Sequence, residues 1–147
     1  MALIVQKYGG TSVADPDRMR AVAENVAFTK RHGNDVIVVP SAMGKSTDNL
    51  IKLPNDVSKT QPGRELDILI TTGERISMAL LCMALADLGI EAKSFTGSQA
   101  GIITDTVHTK AKILEVKGDR VREALADGKV CVVAGFQGIS TDKEITS

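Results

Sequence analysis

Short apolar runs at residues 2–7, 36–39 and 130–134, and a further strand-like segment at 92–95, are spaced through this chain with helix-like stretches between them. Runs of that length and continuity suit buried strands. Strands separated by helices pair in parallel through crossovers, and a parallel sheet is covered on both faces. The order of elements is therefore β-α-β-α-α-β-(β)-α-β. It predicts an α/β fold, three layers α/β/α around a mostly parallel sheet. In such sheets ligands bind beyond the carboxyl ends of the strands. Glycine- or hydroxyl-bearing loops follow Lys7, Val39 and Ala134, so these three loops are expected to converge on one edge.

The helices read from their own signals. Asp15-Pro16 supplies an N-cap and a proline for the first helical position. Met19, Val22, Ala23, Val26 and Ala27 then form one apolar face, and Gly33 closes the helix. Residues 48–58 read as a helix that Pro54 should kink, because proline removes a hydrogen bond. Residues 64–88 are helical in pattern with a break at Thr72-Gly73. Residues 102–116 suggest short strands, 119–127 a helix closed by Gly128, and 139–147 a polar tail.

A chain of 147 residues is one domain's worth, and such a domain buries roughly 70% of its unfolded surface. Eighteen basic residues balance eighteen acidic ones, with no basic run. Aromatics are only 3%. Both facts argue against a nucleic-acid partner. Cys82 and Cys131 sit in apolar stretches and lack metal-ligand spacing with His32 or His108, so reduced buried thiols are expected. The two histidines read as solvent-side residues. The apolar stretch 76–88 is too short to span a membrane, and the start of the chain is too short for a signal peptide. A soluble cytoplasmic protein is expected.

Four segments carry candidate chemistry. In Lys7-Tyr8-Gly9-Gly10-Thr11-Ser12, glycines after a buried strand admit close backbone approach, successive N–H groups make an anion site, and the lysine adds charge. The combination suits phosphate, which needs donors and charge; the glycines alone also suit a plain tight turn. Met43-Gly44-Lys45-Ser46 invites comparison with a P-loop, but position 39, where the first glycine belongs, is Val39, and that reading is rejected. Ser41 and Thr47 beside a helix start suit anion binding, and Ser46 or Thr47 equally suits a helix cap. Glu74, opening an otherwise apolar helix, suits a substrate ammonium, or simply the first turn of a helix. Gly135-Phe136-Gln137-Gly138 offers backbone donors to a carboxylate, or a strand-ending turn.

Together these segments, with Val38-Val39-Pro40-Ser41-Ala42-Met43-Gly44, Thr72-Gly73-Glu74-Arg75-Ile76-Ser77 and Ser94-Phe95-Thr96-Gly97-Ser98-Gln99-Ala100-Gly101, resemble the aspartate kinase family of the amino-acid kinase fold. The resemblance runs from end to end. It implies phosphoryl transfer from ATP, with Mg2+, to the side-chain carboxylate of L-aspartate, giving 4-phospho-L-aspartate, the first step towards lysine, threonine and methionine. It implies that Lys7 contacts the transferring phosphoryl group, that Gly9 and Gly10 give backbone donors to phosphates, and that Ser41 lies beside them. Thr47 and Glu74 would hold aspartate, Glu74 through its ammonium, with Phe136 against the substrate. No metal ligand is assigned within the chain; Mg2+ would be held mainly by the nucleotide and by residues outside it.

Members of the family run well beyond this length, into a glycine-rich loop with an arginine, a serine and an aspartate, an adenine-binding segment and regulatory domains. Residues 1–147 thus correspond to the N-terminal lobe of the catalytic domain, one half of a bilobal site, expected to be inactive alone and to self-associate through uncovered surface. A homo-oligomer is expected of the parent enzyme. The alternatives are another amino-acid kinase, acting on glutamate or N-acetylglutamate, and a non-catalytic anion-binding module of the same fold.

Overall fold

In the computed structural model, which describes residues 2–147, the chain opens with β1 (Leu3–Tyr8), α1 (Pro16–Arg31) and β2 (Asp35–Pro40). Three helices follow, α2 (Ser46–Val57), α3 (Gly63–Ile70) and α4 (Thr72–Asp87). Then come β3 (Ala92–Phe95), β4 (Ile102–Thr104), β5 (Ile113–Val116), α5 (Asp119–Ala126), β6 (Val130–Val133), β7 (Gly138–Ser140) and β8 (Ile145–Thr146).

The main sheet has the order β1-β2-β6-β3 and every pairing in it is parallel. α1 and α4 cover one face. Met19, Val22 and Val26 of α1 and Met78, Leu81 and Leu85 of α4 meet Val36, Val38, Val130 and Val132 there. α5 covers part of the other, where Phe95, Val121, Ala124, Cys131 and Val133 pack with Ile102. The three expected layers are present. β1 is an edge strand, and Leu3 and Val5 on its second face are exposed.

α1 forms for the reasons legible in its sequence. The Asp15 side chain accepts from the Arg18 N–H at 2.8 Å, Pro16 sits at the start, and the five apolar residues are all buried. α2 includes Pro54 within its length. The proline lies in the last turn, where its missing N–H costs one bond, and its carbonyl still accepts from Ser58 N–H at 2.8 Å. Neither Ser46 nor Thr47 caps α2: Lys45 holds the cap position and no side chain bonds there. That leaves both hydroxyls unused by the helix end.

A second sheet, β5-β4-β7-β8, was only half foreseen. β4 pairs antiparallel with β5 and parallel with β7, and β7 pairs antiparallel with β8. The 139–147 segment is therefore ordered strand and not a plain polar tail. The break expected at Thr72-Gly73 falls at Thr71, between α3 and α4. The whole helical run Gly63–Asp87 is long and apolar enough to cross a membrane by length and composition, longer than the 76–88 stretch. Here it buries Met78, Leu81 and Leu85 in the core together with two carboxylates, Asp67 and Glu74.

α3 also fastens the second sheet. Asp67, fully buried, accepts from His108 Nδ1–H at 2.7 Å, Thr109 N–H at 3.1 Å and the Ser147 hydroxyl. His108 is thus a half-buried partner of a core carboxylate, not the solvent-side residue its flanking sequence suggests. Its partner lies forty-one positions away, beyond the reach of local pattern.

Candidate active site

A cavity of about 400 Å³ opens at the carboxyl ends of β1 and β2. Each element delivers one candidate group to it. β1 brings Lys7, the loop after β2 brings Ser41, the first turn of α2 brings Thr47, α4 brings Glu74, and the loop after β6 brings Phe136. Val5, Val39, Pro40 and Ile70 supply apolar wall. Of the three loops expected to converge, those after Val39 and Ala134 meet here with the strand end that carries Lys7, while residues 8–12 do not line the cavity.

Gly9 and Gly10 are not among the lining residues. Gly10 instead packs against the neighbouring loop. Its carbonyl accepts from Gly44 N–H at 3.0 Å, and a Cβ at Gly10 would stand 3.0 Å from the Gly44 carbonyl oxygen. The Gly9 carbonyl accepts from Ser12 N–H at 3.0 Å, closing a turn. Lys45 lies outside the cavity as well.

The centre of the site is Glu74, only 7% exposed in the first turn of α4. Its Oε1 accepts from the Phe136 backbone N–H at 3.1 Å and its Oε2 from the Gln137 side-chain amide at 3.1 Å. The loop 135–138 does present donors to a carboxylate, as its sequence suggested, but the carboxylate is the protein's own. Burial pushes the Glu74 carboxyl up from its ordinary range; the Phe136 N–H, the Gln137 amide and the Lys7 charge oppose the rise. Gly73 lets this helix start approach so closely. A Cβ there would fall 2.8 Å from the Ala42 Cβ of the loop after β2.

Gln137 is the residue the sequence reading passed over. It is 4% exposed and uses its whole amide. Nε2 donates to the Thr71 carbonyl at 3.1 Å as well as to Glu74, and Oε1 accepts from Gly97 N–H at 3.4 Å. A polar side chain in a glycine-rich turn directly after a strand that is buried throughout was the available signal.

The Phe136 ring is 73% exposed at the mouth of the cavity, although its backbone is fixed on Glu74. The cysteines are free, and burial pushes both thiols up to about 11, which favours the thiol over the thiolate. Among the described residues no three His, Cys, Asp or Glu side chains gather where they could hold a metal ion. In chemical terms the cavity offers one buried anion, one lysine cation and the hydroxyls of Ser41 and Thr47, the Thr71 hydroxyl being bonded back to the Asp67 carbonyl. That set suits a small zwitterion beside a phosphate.

Comparison with known proteins places the chain among relatives. Residues 2–147 match the amino acid kinase family. The aspartokinase of Mycolicibacterium smegmatis is 57% identical over 148 residues, covering all of this chain and 35% of that protein. The aspartokinase of Corynebacterium glutamicum is 54% identical over the same share. The chain thus spans about a third of the length of the curated relatives it matches. The crystal structure of aspartate kinase from Synechocystis superposes with a TM-score of 0.82 at 46% identity, over 99% of this chain and 23% of that one. E. coli aspartokinase III in complex with aspartate and ADP superposes at 0.81 with 20% identity, over all of this chain and 43% of that one, and so shows a shared fold.

Proposed function

The chain belongs to the amino acid kinase family, and from that premise we propose that it forms the acceptor-binding side of an aspartate kinase. An oxygen of the aspartate side-chain carboxylate attacks the γ-phosphorus of ATP, the bond from that phosphorus to the β–γ bridging oxygen breaks, and 4-phospho-L-aspartate and ADP leave. The carrying observation is that Lys7, Ser41, Thr47, Glu74 and Phe136, drawn from five separate elements, line one cavity. The aspartokinase names of relatives at 51–57% identity support the acceptor.

In this reading Glu74 receives the substrate ammonium. A buried carboxylate with two neutral donors keeps a net negative charge, and a zwitterion's cation offsets it. Thr47 adds a hydroxyl to the amino acid, and Phe136 closes over it from the mouth. Lys7 answers the charge that spreads over the transferring phosphoryl oxygens, which is the main demand of that transition state. Ser41 lies beside the phosphates. Gly9 and Gly10 turn the chain directly after Lys7 and give backbone N–H donors to the phosphates. Mg2+ accompanies ATP on its phosphates.

Residues 1–147 then make up the N-terminal part of the catalytic domain. The relatives' additional length would complete the nucleotide site and carry any regulation. The enzyme is assigned to the cytoplasm and to amino-acid biosynthesis. A homo-oligomer is part of the same proposal, supported by the apolar stripe Ile76, Leu80 and Met83 left open on α4.

The test is an acceptor panel with the full-length protein, ATP, and L-aspartate, L-glutamate or N-acetyl-L-glutamate, trapping the acyl phosphate with hydroxylamine. Trapped product from aspartate alone is expected. An N-acetylated acceptor that reacts as fast as aspartate overturns the role given to Glu74, because it brings no ammonium.

A further inference from the structure

We infer that Gln137 is a positioning residue for acceptor binding: it fixes the Glu74 carboxylate and ties it to the loop 96–101. The inference rests on the reading that Glu74 receives the substrate ammonium. The geometry carries it. The Gln137 amide orientation is set by its surroundings, because Thr71 O and Glu74 Oε2 both accept and only the NH2 end satisfies both. The opposite end accepts from Gly97 N–H. One buried side chain therefore joins the α3–α4 junction, the loop after β3 and the acidic group of the site.

The backbone around it has no slack. A Cβ at Gly97 would fall 2.0 Å from the Gln137 carbonyl oxygen, and one at Gly138 would fall 2.7 Å from Thr104 Cγ2. Gln137 is held on both sides, so its amide is a fixed donor rather than an adaptable one. A carboxylate can rotate about its last torsion at little cost. Two fixed donors, Phe136 N–H on Oε1 and Gln137 on Oε2, stop that rotation and leave the remaining lone pairs as the ammonium's landing site. Removing Gln137 leaves Glu74 free to turn and deprives its charged form of a donor.

The consequence for acid–base behaviour has a definite sign. From the elements packed around Glu74, the charged group facing it is Lys7 on β1; the β2, α2, α3 and β6 sides present Val39, Pro40, Ser41, Thr47, Ile70, Thr71 and Gly135. The Gln137 bond favours the ionised carboxylate. Without it the carboxyl protonates more easily, and acceptor binding fails at a higher pH than before.

The experiment uses the full-length enzyme with Gln137→Met, which keeps chain length and volume, alongside Glu74→Gln and the double variant. For Q137M the KM for aspartate should rise about tenfold, the scale of one hydrogen bond to a charged group. kcat and the KM for ATP should stay within about twofold, and the acid limb of kcat/KM for aspartate should move to higher pH. In the E74Q background the same substitution should add less than about twofold, since it acts through Glu74. An unchanged aspartate KM and acid limb in a folded Q137M overturns the inference, as does an undiminished effect in the E74Q background. A merely structural role would lower the melting temperature and kcat and leave the acid limb in place, which also overturns it. If E74Q itself leaves the aspartate KM unchanged, it is the role of Glu74 that fails.

Discussion

Two buried carboxylates lie about two helical turns apart on one run of helix, and they have been treated in opposite ways. Asp67 on α3 is saturated. His108, Thr109 and Ser147 all donate to it, its two oxygens are fully buried, and its bonds all stay within the protein. Glu74 on α4 has two neutral donors, Phe136 N–H and Gln137, and opens onto the cavity with Lys7 nearby. A buried charge that is satisfied internally is a fastener. One that is left short of donors beside a cavity is a request for a ligand. Burial alone would have ranked the two the other way, since Asp67 is the more deeply buried.

The contrast breaks most visibly in kinetics. In the full-length enzyme Glu74→Gln should lower kcat/KM for aspartate by about 10²–10³, the scale of losing a desolvated charge partner. Asp67→Asn should change it less than about threefold in the fraction that folds. Steady-state assays with aspartate varied decide between them, and comparable losses in both would erase the distinction.

Stability should run the opposite way. Asp67→Asn leaves donors facing the wrong group and should cost about 2–3 kcal/mol in urea unfolding. Glu74→Gln should cost less at low pH and become progressively favourable as pH rises. The sign follows from the raised Glu74 carboxyl: its contribution to stability is fully present below its unfolded value near 4.5 and is lost as pH climbs through the folded one. Unfolding curves of wild type and E74Q between about pH 4 and 8 measure the divergence. Parallel curves would mean that burial does not strain this group.

The smallest effect sharpens the fastener. Ser147→Ala removes one of several donors to Asp67 and should cost about 1 kcal/mol, with aspartate kinetics unchanged. A loss as large as that of Asp67→Asn would mean that the hydroxyl, and not His108, holds the second sheet to α3.

What the sequence made legible follows the same division. α1 could be read residue by residue because its cap, proline and apolar stripe are local. Lys7, Ser41 and Phe136 stood at strand ends, where a parallel sheet gathers ligands, and the structure gathers them together with Thr47 and Glu74. The second sheet was faint because β5 is exposed at every position and shows no alternation, while β8 is two residues long. His108 and Gln137 were passed over because what defines them lies forty-one and sixty-three positions away. The close approach of Gly10 to the loop after β2 was not legible either, because the atoms a side chain there would meet belong to Ala42 and Gly44. The helix around Pro54 was legible at 48–58, close to the observed Ser46–Val57, and the proline falls in its last turn.

The strand order of the main sheet sets a timetable for its assembly. β6 lies between β2 and β3 and is the neighbour to which β3 bonds. β1, α1 and β2 are able to associate early, but the sheet has no centre until residues 130–133 have left the ribosome. Until then the first two strands and β3 wait as separate pieces, their apolar faces exposed to one another and to other nascent chains. Closure over so long a stretch of chain is slow, and the last piece to arrive, Val130-Cys131-Val132-Val133, is itself wholly apolar. Newly made protein is therefore most open to chaperone capture, or to aggregation, in the interval just before β6 slots in.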